Sequence, residues 1–241
     1  MTLAVIITIY DRINNYFYVK MWKGVCKIGI MKNSIIFDLD GTLWEVIEST
    51  YKSANEIAYK HGLKEISKDT ICKVFGLNKE GAAKLYFPYL ELSESTKLID
   101  EIAVINIENL MSSGGNVYPN VTEVLDNLVD KYDLYIVSNT AETNYIKAFL
   151  KAADSERVFK DYIAASSLNI SKADAIKKVI GDNNIKKAVY VGDTVIDFEV
   201  ANENNIPFVQ AKYGFGEDLN TDFAINEIKE LPSVLENVFY K

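Results

Sequence analysis

The sequence has few of the residues on which several common kinds of site depend. Among its 241 residues are two cysteines, Cys26 and Cys72, and one histidine, His61. Two unpatterned cysteines are too few for a disulfide framework or a zinc site, and their scarcity is typical of a reducing cytoplasm. His61 lies near the end of a predicted helix, where histidine is more often a helix-terminus residue than a catalyst. The sequence therefore argues against Ser/His/Asp chemistry and predicts a cytoplasmic protein.

Excess basic charge and long apolar runs are also missing. The formal net charge is −8, and no basic stripe offsets it, which argues against a nucleic-acid partner. The first apolar run, Leu3 to Tyr10, is too short to span a bilayer. No positive charge precedes it and no Ala-x-Ala-like cleavage site follows, so a signal peptide is not indicated. We expect no membrane partner.

What the sequence does contain is a pair of acids at the end of an apolar strand. Ile35 to Phe37 is the composition expected of a strand buried on both faces of a parallel sheet. Asp38 follows at the carboxyl end, where open α/β sheets bind ligands, and Asp40 comes two residues later, before the turn-forming Gly41. One carboxylate can attack phosphorus and hold an aspartyl-phosphate, while the second handles the proton. The pattern therefore predicts phosphoryl transfer.

Two other interpretations of this segment were considered. Asp and Gly are ordinary turn residues, so the strand could simply end in an acidic turn. An EF-hand loop fits poorly, because its glycine stands sixth, whereas Gly41 is fourth from Asp38.

Further polar groups follow downstream strands. Ser138 and Asn139 come after the apolar run Leu134 to Val137, and they suit either phosphate oxygens or a helix cap. Lys172 stands at the predicted start of a helix running to Ile180. It could neutralise phosphate, although most helical lysines are solvated.

Two more acids, Asp193 and Asp197, follow the predicted strand Ala188 to Val191. Hard divalent cations such as Mg²⁺ favour a few carboxylates, so Asp193 meeting Asp38 would supply a metal site. The alternative assigns both downstream acids to a turn and a helix N-terminus, where negative charge is favourable.

Together these segments resemble the haloacid dehalogenase-like hydrolase superfamily, from about Lys32 to the C-terminus. The resemblance implies an α/β fold: a Rossmann-like three-layer core with a central parallel sheet and an inserted α-helical cap. It implies that Asp38 is the nucleophile and Asp40 the general acid/base. It further implies Mg²⁺ bound by Asp38, Asp193 and the backbone carbonyl of Asp40, with Asp197 supporting the metal shell. The implied phosphate-binding residues are Thr42, Ser138, Asn139 and Lys172.

The second acid distinguishes branches of that superfamily. Members that cleave carbon–halogen bonds lack an acid at the place of Asp40, and ion-pumping ATPases need membrane helices. We therefore expect a Mg²⁺-dependent phosphatase acting on a small phosphorylated metabolite, with 2-phosphoglycolate as the first candidate, in a monomer or homodimer. A phosphomutase of the β-phosphoglucomutase type is the alternative enzyme. A partner-binding protein with a relic site is the alternative outside enzymes, although Asp38, Asp40, Lys172 and Asp193 are all present.

The long interval between Thr42 and Ser138 exceeds what a strand-to-helix crossover needs, which predicts an inserted domain. We expect a core of residues 31–48 and 117–241 and a helical cap of residues 49–116. Apolar residues from Leu43 to Ala58 recur with helical period, and Gly62 would end that helix.

The remaining cap helices are predicted from capping residues. Ser67 would cap a helix reaching Phe75, a third helix would span Lys79 to Tyr89, and a long one would start at Ser93 or Ser95. Residues 112–115 are typical of a hinge. Aromatic residues of the cap and its entry, at helical spacing, are expected in the core: Trp44, Tyr51, Tyr86, Phe87 and Tyr89.

Residues 1–30 do not match the resemblance. They could add a strand or helix to the core, possess an interaction surface at Leu3 to Tyr10, or be translated from an upstream start, with Met31 the usual beginning. We favour the upstream start, because the first motif strand follows Met31 directly.

Overall fold

The N-terminal segment forms its own small sheet. The computed structural model describes residues 7–11, 16–21, 24–29 and 32–240, and the chain divides into two compact units, Met1–Lys32 and Asn33–Lys241. In the first, strands β1 (Ile7–Asp11), β2 (Tyr16–Met21) and β3 (Gly24–Gly29) pair antiparallel in that order. Residues 3–6 of the apolar run, Met31 and the Cys26 side chain lie outside what is described. The upstream start stays a prediction.

The second unit alternates strands and helices. Its strands are β4 (Asn33–Phe37), β5 (Trp44–Glu45), β6 (Asn116–Val117), β7 (Tyr132–Ser138), β8 (Phe159–Ala164), β9 (Ala188–Gly192), β10 (Phe208–Ala211) and β11 (Ala224–Ile225). Its helices are α1 (Ile47–Lys60), α2 (Lys68–Val74), α3 (Lys79–Tyr86), α4 (Leu92–Ser113), α5 (Val121–Leu128), α6 (Thr143–Ala152), α7 (Lys172–Asp182), α8 (Val195–Glu203) and α9 (Leu231–Tyr240).

Six of these strands form a parallel sheet in the order β11-β10-β9-β4-β7-β8. Alternate side chains along each strand point to opposite faces, so Ile35 and Phe37 join one apolar cluster while Ile36 joins another. Helices α5, α6 and α9 cover the first face, and α7 and α8 cover the second. This confirms the predicted three-layer α/β core. Strands β4, β7 and β9 lie side by side at its centre, so their carboxyl ends bring the motif residues together.

The inserted segment is helical, as predicted. Helices α1 to α4 share an apolar cluster of their own, which includes Ile57, Ile71, Phe87 and Leu98. Strands β5 and β6, which lead into and out of this segment, pair antiparallel with each other. The division of residues 33–241 into core and cap stays a prediction, because the described residues group as one compact unit.

The helix boundaries correct several expectations. Leu43 is not helical: it is fully buried in the core, and the helix begins at Ile47 after the β5 pairing. The third helix ends at Tyr86 rather than Tyr89, since Pro88 lacks the backbone N–H that a helix needs. Helix α4 begins at Leu92, slightly earlier than expected.

Other local predictions are confirmed. Ser67 caps α2 and Ser171 caps α7, each accepting a hydrogen bond from a backbone N–H. Gly62, just past the end of α1, adopts the left-handed backbone conformation typical of a glycine that ends a helix, and Asn120 and Gly114 adopt it too. Whether residues 112–115 act as a hinge stays a prediction. No helix in the described part of the chain is long and apolar enough to cross a membrane.

Candidate active site

The two motif acids stand at the carboxyl end of β4, on either side of Leu39. Leu39 points into the core and is fully buried, so the side chains of Asp38 and Asp40 point away from it, toward the same edge of the sheet. Asp38 is 5% exposed there. Gly41 completes the turn with φ +81°. A side chain at Gly41 would also overlap the carboxylate of Asp193. The turn therefore requires glycine both for its backbone conformation and for the close approach of the next acid.

This requirement predicts a large effect on stability. We expect Gly41→Ala to lower the free energy of unfolding by more than the ~1–2 kcal/mol that a left-handed alanine costs, because Asp193 must also move. Gly62→Ala is the matched control, since Gly62 has φ +65° but open space around it. Urea unfolding of both variants measures the difference. Equal losses would show that the contact with Asp193 carries no cost.

Lys172 joins two buried acids. Its Nζ donates to Asp38 Oδ1 and to Asp197 Oδ1, both at 2.6 Å. Burial raises the pKa of Asp38 well above its usual range, against the lowering effect of Lys172. Burial alone would lower the pKa of Lys172, but Asp197 and Asp38 raise it well above its usual range. The lysine is therefore a fixed positive charge beside the predicted nucleophile and not a solvated helix residue.

Asp193 is fully buried across from Asp38. Its Oδ2 accepts from the backbone N–H groups of Phe215 at 2.7 Å and Gly216 at 3.3 Å. Burial and then the charge of Asp197 raise the pKa of Asp193 to about 7, although these N–H groups oppose the rise. The loop after β10 thus orients this acid.

Asp197 caps a helix, as one interpretation of the sequence expected, and it also pairs with Lys172. Its Oδ2 accepts from the backbone N–H groups of Asp193 and Thr194 and from the Thr194 hydroxyl, which closes a capping box at the start of α8. Its Oδ1 accepts from Lys172. Both carboxylate oxygens are therefore occupied, so Asp197 orients its neighbours rather than offering a free ligand.

The acids of this cluster fit a hard cation. Carboxylate oxygens of Asp38, Asp193 and Asp197 all lie within 4.8 Å of one another. Asp197 Oδ1 is held by Lys172 and its Oδ2 by the capping box, whereas Asp193 Oδ1 accepts one longer bond of 3.3 Å from Thr42, so Asp38 and Asp193 are better placed to bind a metal. One lysine faces three carboxylates: burial, and after it the charge of Asp197, raises the pKa values of Asp38 and Asp193 against the lowering effect of Lys172. Oxygen donors and uncompensated negative charge together suit a divalent metal ion.

Asp40 is held by a residue that was not predicted from the sequence. The hydroxyl of Tyr145, on α6, donates to Asp40 Oδ1 at 2.8 Å. Burial raises the pKa of Asp40 to about 6, and the hydrogen bond from Tyr145 opposes the rise. A carboxyl group that titrates near neutral pH suits acid–base chemistry. No local pattern distinguishes Tyr145 from other apolar-face residues of an amphipathic helix.

Ser138 and Asn139 lie where phosphate oxygens could meet them. Both line a cavity of about 110 Å³ together with Asp38, Asp40 and Lys172. They do not cap the following helix, because its N-cap is Glu142. Asn139 Nδ2 donates to the backbone carbonyl of Gly76, at 2.7 Å.

Thr42 differs from the expectation. It is fully buried and does not line this cavity, and its hydroxyl donates to Asp193 Oδ1 at 3.3 Å. Its placement supports the orientation of Asp193. The predicted phosphate contact of Thr42 has no geometric support here, because the turn at Gly41 directs this side chain inward.

The inserted helical segment also lines the cavity. The last residue of α2 and the loop after it supply Val74, Phe75, Gly76 and Leu77, none of which was predicted as a site residue. Phe75 packs on Phe215, with ring centroids 4.5 Å apart, so the loop after β10 contacts the inserted segment. A larger cavity of about 880 Å³ shares Gly76, Leu77, Asn139 and Lys172 with the first.

The remaining candidates lie away from the reaction site. His61 caps the end of α1 and contacts Glu101 Oε2 at 3.1 Å. Trp44, Tyr86 and Phe87 are buried in the cores, whereas Tyr89 is exposed. None of these residues lines either cavity.

Comparisons with known proteins agree with this geometry. The family model described as haloacid dehalogenase-like hydrolase matches residues 35–211. A phosphoglycolate phosphatase of Caulobacter vibrioides is 26% identical over 214 residues, which cover 83% of this chain and 89% of that protein. A phosphoglycolate phosphatase of Agrobacterium fabrum is 24% identical over 86% of this chain and 94% of that protein.

Solved structures share the fold. A haloacid dehalogenase-like hydrolase from Streptococcus pneumoniae is 19% identical with a TM-score of 0.75, covering 85% of this chain and 98% of its own. A predicted phosphatase from Clostridium acetobutylicum is 23% identical with a TM-score of 0.73, covering 86% of this chain and 100% of its own. The match over most of the core, with the acids and the lysine assembled at one sheet edge, shows that the chain is an enzyme of the haloacid dehalogenase-like hydrolase family.

Proposed function

We propose that this protein is a Mg²⁺-dependent phosphatase that hydrolyses small phosphomonoesters through an aspartyl-phosphate on Asp38. The observation that carries the proposal is the cavity of about 110 Å³ in which Asp38, Asp40 and Lys172 meet Ser138 beneath the cap loop. A nucleophile, an acid/base and a phosphate-binding cation thus face one small space. The names of the curated relatives support phosphatase chemistry.

In the first step Asp38 attacks phosphorus, a bond forms between its carboxylate oxygen and phosphorus, and the bond from phosphorus to the leaving oxygen breaks. Asp40 gives its proton to that oxygen. In the second step Asp40 takes a proton from water as the water oxygen attacks phosphorus, and the bond to Asp38 breaks to release phosphate. Lys172 offsets charge on Asp38 and on the phosphoryl oxygens throughout.

Asp38, Asp193 and the backbone carbonyl of Asp40 are the groups proposed to hold Mg²⁺. The bound cation supplies charge neutralisation for the phosphoryl group. Support comes from the three clustered acids and from the hydrogen bonds that hold both oxygens of Asp197, whereas Asp193 Oδ1 accepts only a longer bond from Thr42.

Metal binding predicts a change in thermal stability. Mg²⁺ at one hundred times its dissociation constant should stabilise the folded protein by about 2.7 kcal/mol. For a chain of this size, each kcal/mol of added stability raises the Tm by roughly 2–4 °C.

Asp193→Asn should abolish most of that rise, because it removes the charge of a ligand while keeping an oxygen for the N–H groups of Phe215 and Gly216. Asp218→Asn is the matched control, since Asp218 is exposed on the neighbouring loop. Scanning calorimetry with and without Mg²⁺ measures the shift. An equal rise in the Asp193 variant would place the metal elsewhere.

The substrate is proposed only as a small ester, and the names of the relatives support 2-phosphoglycolate as the first candidate. The carboxylate of 2-phosphoglycolate would need a positively charged partner in the cavity lining. Lys172 is the one cation among the described residues of the small cavity, and it already pairs with two acids. Lys79, in the larger cavity, pairs with Asp100. Among the described lining residues, no unpaired lysine or arginine is therefore available to bind a second anion.

A matched pair of esters tests both the phosphatase function and the lack of an unpaired cation in the described lining. We expect 2-hydroxyethyl phosphate, whose leaving group is neutral, to be hydrolysed with kcat/KM at least equal to that of 2-phosphoglycolate. Phosphate release should be measured with Mg²⁺ on both esters, on sugar phosphates, on nucleoside monophosphates and on p-nitrophenyl phosphate. A clear preference for 2-phosphoglycolate would show that a cation is freed to bind its carboxylate.

Phosphate release, together with analysis of the sugar phosphates for isomerisation, separates the alternatives. A phosphomutase would convert a sugar phosphate to its isomer without net phosphate release, and a relic site would turn over none of the esters. The presence of Asp38, Asp40, Lys172 and Asp193 in one connected site supports catalysis. Location in the cytoplasm and assembly as a monomer or homodimer stay predictions.

A further inference from the structure

Tyr145 is the one side chain from α6 that reaches the reacting acids. Its hydroxyl donates to Asp40 Oδ1 at 2.8 Å, although the two residues are 105 positions apart in the sequence. Asp40 lines the small cavity, whereas Tyr145 does not. The tyrosine therefore contacts Asp40 from behind, on the side away from the substrate space.

The ring of Tyr145 is fixed by its neighbours. It is 7% exposed, and its centroid lies 5.4 Å from that of the fully buried Trp44. Phe149, one helical turn later on α6, packs on the same indole with centroids 5.7 Å apart. A ring packed in this way has no free space in which to swing its hydroxyl away from Asp40. Oδ1 of Asp40 accepts in this pair, so the hydroxyl of Tyr145 is the donor.

This contact makes the two oxygens of Asp40 different. Oδ1 already accepts a hydrogen bond from Tyr145, so a proton on this carboxyl group resides more favourably on Oδ2. Oδ2 accepts no hydrogen bond from the described residues, so it is the oxygen available to a substrate in the cavity that Asp40 lines.

We propose that Tyr145 is a positioning residue that holds Asp40 with its proton-bearing Oδ2 toward the leaving oxygen of the substrate. The inference rests on the proposed phosphatase function. As Asp38 bonds to phosphorus, the bond from phosphorus to the leaving oxygen breaks and its electron pair stays on that oxygen. The proton of Asp40 Oδ2 then passes to the same oxygen, and Asp40 is left as a carboxylate accepting from Tyr145.

The dependence on leaving group distinguishes this role from a merely structural one. An alkyl ester needs the proton because an alkoxide is a poor leaving group, whereas p-nitrophenolate leaves as a stable anion. Tyr145→Phe should lower kcat/KM, which reports the step that breaks the bond to the leaving oxygen, by ~10-fold or more on 2-hydroxyethyl phosphate, a part of the ~10²–10⁴-fold that general acid catalysis contributes. The same variant should lower kcat/KM on p-nitrophenyl phosphate by no more than about 3-fold. Asp40→Asn should show the same preference, with larger losses on the alkyl ester.

Two controls sharpen the test. In the double variant Asp40→Asn/Tyr145→Phe, the second change should add no more than about 2-fold on the alkyl ester, since residues acting as a unit are not additive. Tyr213→Phe also removes a tyrosine hydroxyl, one that donates to the backbone carbonyl of Thr42 at 2.7 Å instead of to Asp40. Any loss in that variant should be equal for the two esters. Thermal unfolding of each variant with Mg²⁺ checks the fold and the metal site.

The outcomes separate the positioning role from the function on which it rests. Equal losses on both esters for Tyr145→Phe, or a full additional loss in the double variant, would overturn the positioning role while leaving the phosphatase intact. An unchanged kcat/KM on the alkyl ester would do the same. A folded wild type that releases phosphate from neither ester would overturn the proposed function, and this role with it.

Discussion

Replacing Asp38 with asparagine is expected to reduce Mg²⁺-dependent phosphate release by about 10³-fold or more, because the amide cannot act as the nucleophile. The change is close to isosteric, and its oxygen can still accept from Lys172, which keeps Asp197 as a second partner. The loss should therefore be catalytic and not structural. Steady-state release from the best ester of the panel measures it, with urea unfolding of the same preparation as the check on folding.

The matched control is Asp133→Asn, on the strand that pairs with β4. Asp133 lies near the start of β7, away from the catalytic sheet edge, and it forms an ion pair with Lys160 at 3.7 Å. Asp133→Asn should therefore leave the rate of phosphate release within a few-fold of wild type.

Trapping the covalent intermediate adds an independent readout. Acid-quenched wild-type enzyme should have a phosphoryl group on the peptide that contains Asp38, detected by mass spectrometry, and Asp38→Asn should have none. If that variant retained more than about a tenth of the activity, Asp38 would not be the nucleophile, and water would attack phosphorus directly.

The parts of this site that could be predicted are those fixed by local sequence. Buried parallel strands are apolar over their whole length, so the runs before Asp38, Ser138 and Asp193 were identifiable, and parallel packing places the ends of such strands at one edge. Lys172 could be placed because Ser171 starts its helix. The sheet and the acids followed from these patterns.

What the sequence did not predict depends on tertiary contacts. Tyr145 reaches Asp40 only because α6 packs over the sheet beside Trp44. The cap loop at Phe75 enters the cavity because Asn139 binds Gly76 and Phe215 packs on Phe75. Each contact joins segments more than 60 residues apart, so no window of local sequence contains both partners. Leu43 was assigned to a helix because its apolar side chain fits the period, and the short β5 pairing overrode that signal.

The largest effect on stability is expected when Lys172 is replaced by methionine. The lysine is 4% exposed and donates to two buried acids, which the variant would leave without their positive partner. Removing one member of a buried ionic group costs about 3–5 kcal/mol, because the uncompensated charges stay buried. We expect a loss of that size in the free energy of unfolding, and a loss of phosphate release with it.

Lys177→Met is the matched control, because Lys177 lies on the same helix α7 but forms its ion pairs with Glu203 and Asp174 in solvent. Water solvates those charges in either state, so this variant should change stability little. Mg²⁺ should restore part of the stability that Lys172→Met loses, since a cation between Asp38 and Asp193 offsets the same excess negative charge. Urea unfolding of both variants with and without Mg²⁺ gives the comparison. If Lys172→Met were as stable as Lys177→Met, the buried acids could not be ionised together in the folded protein, and the charge balance inferred for this site would be wrong.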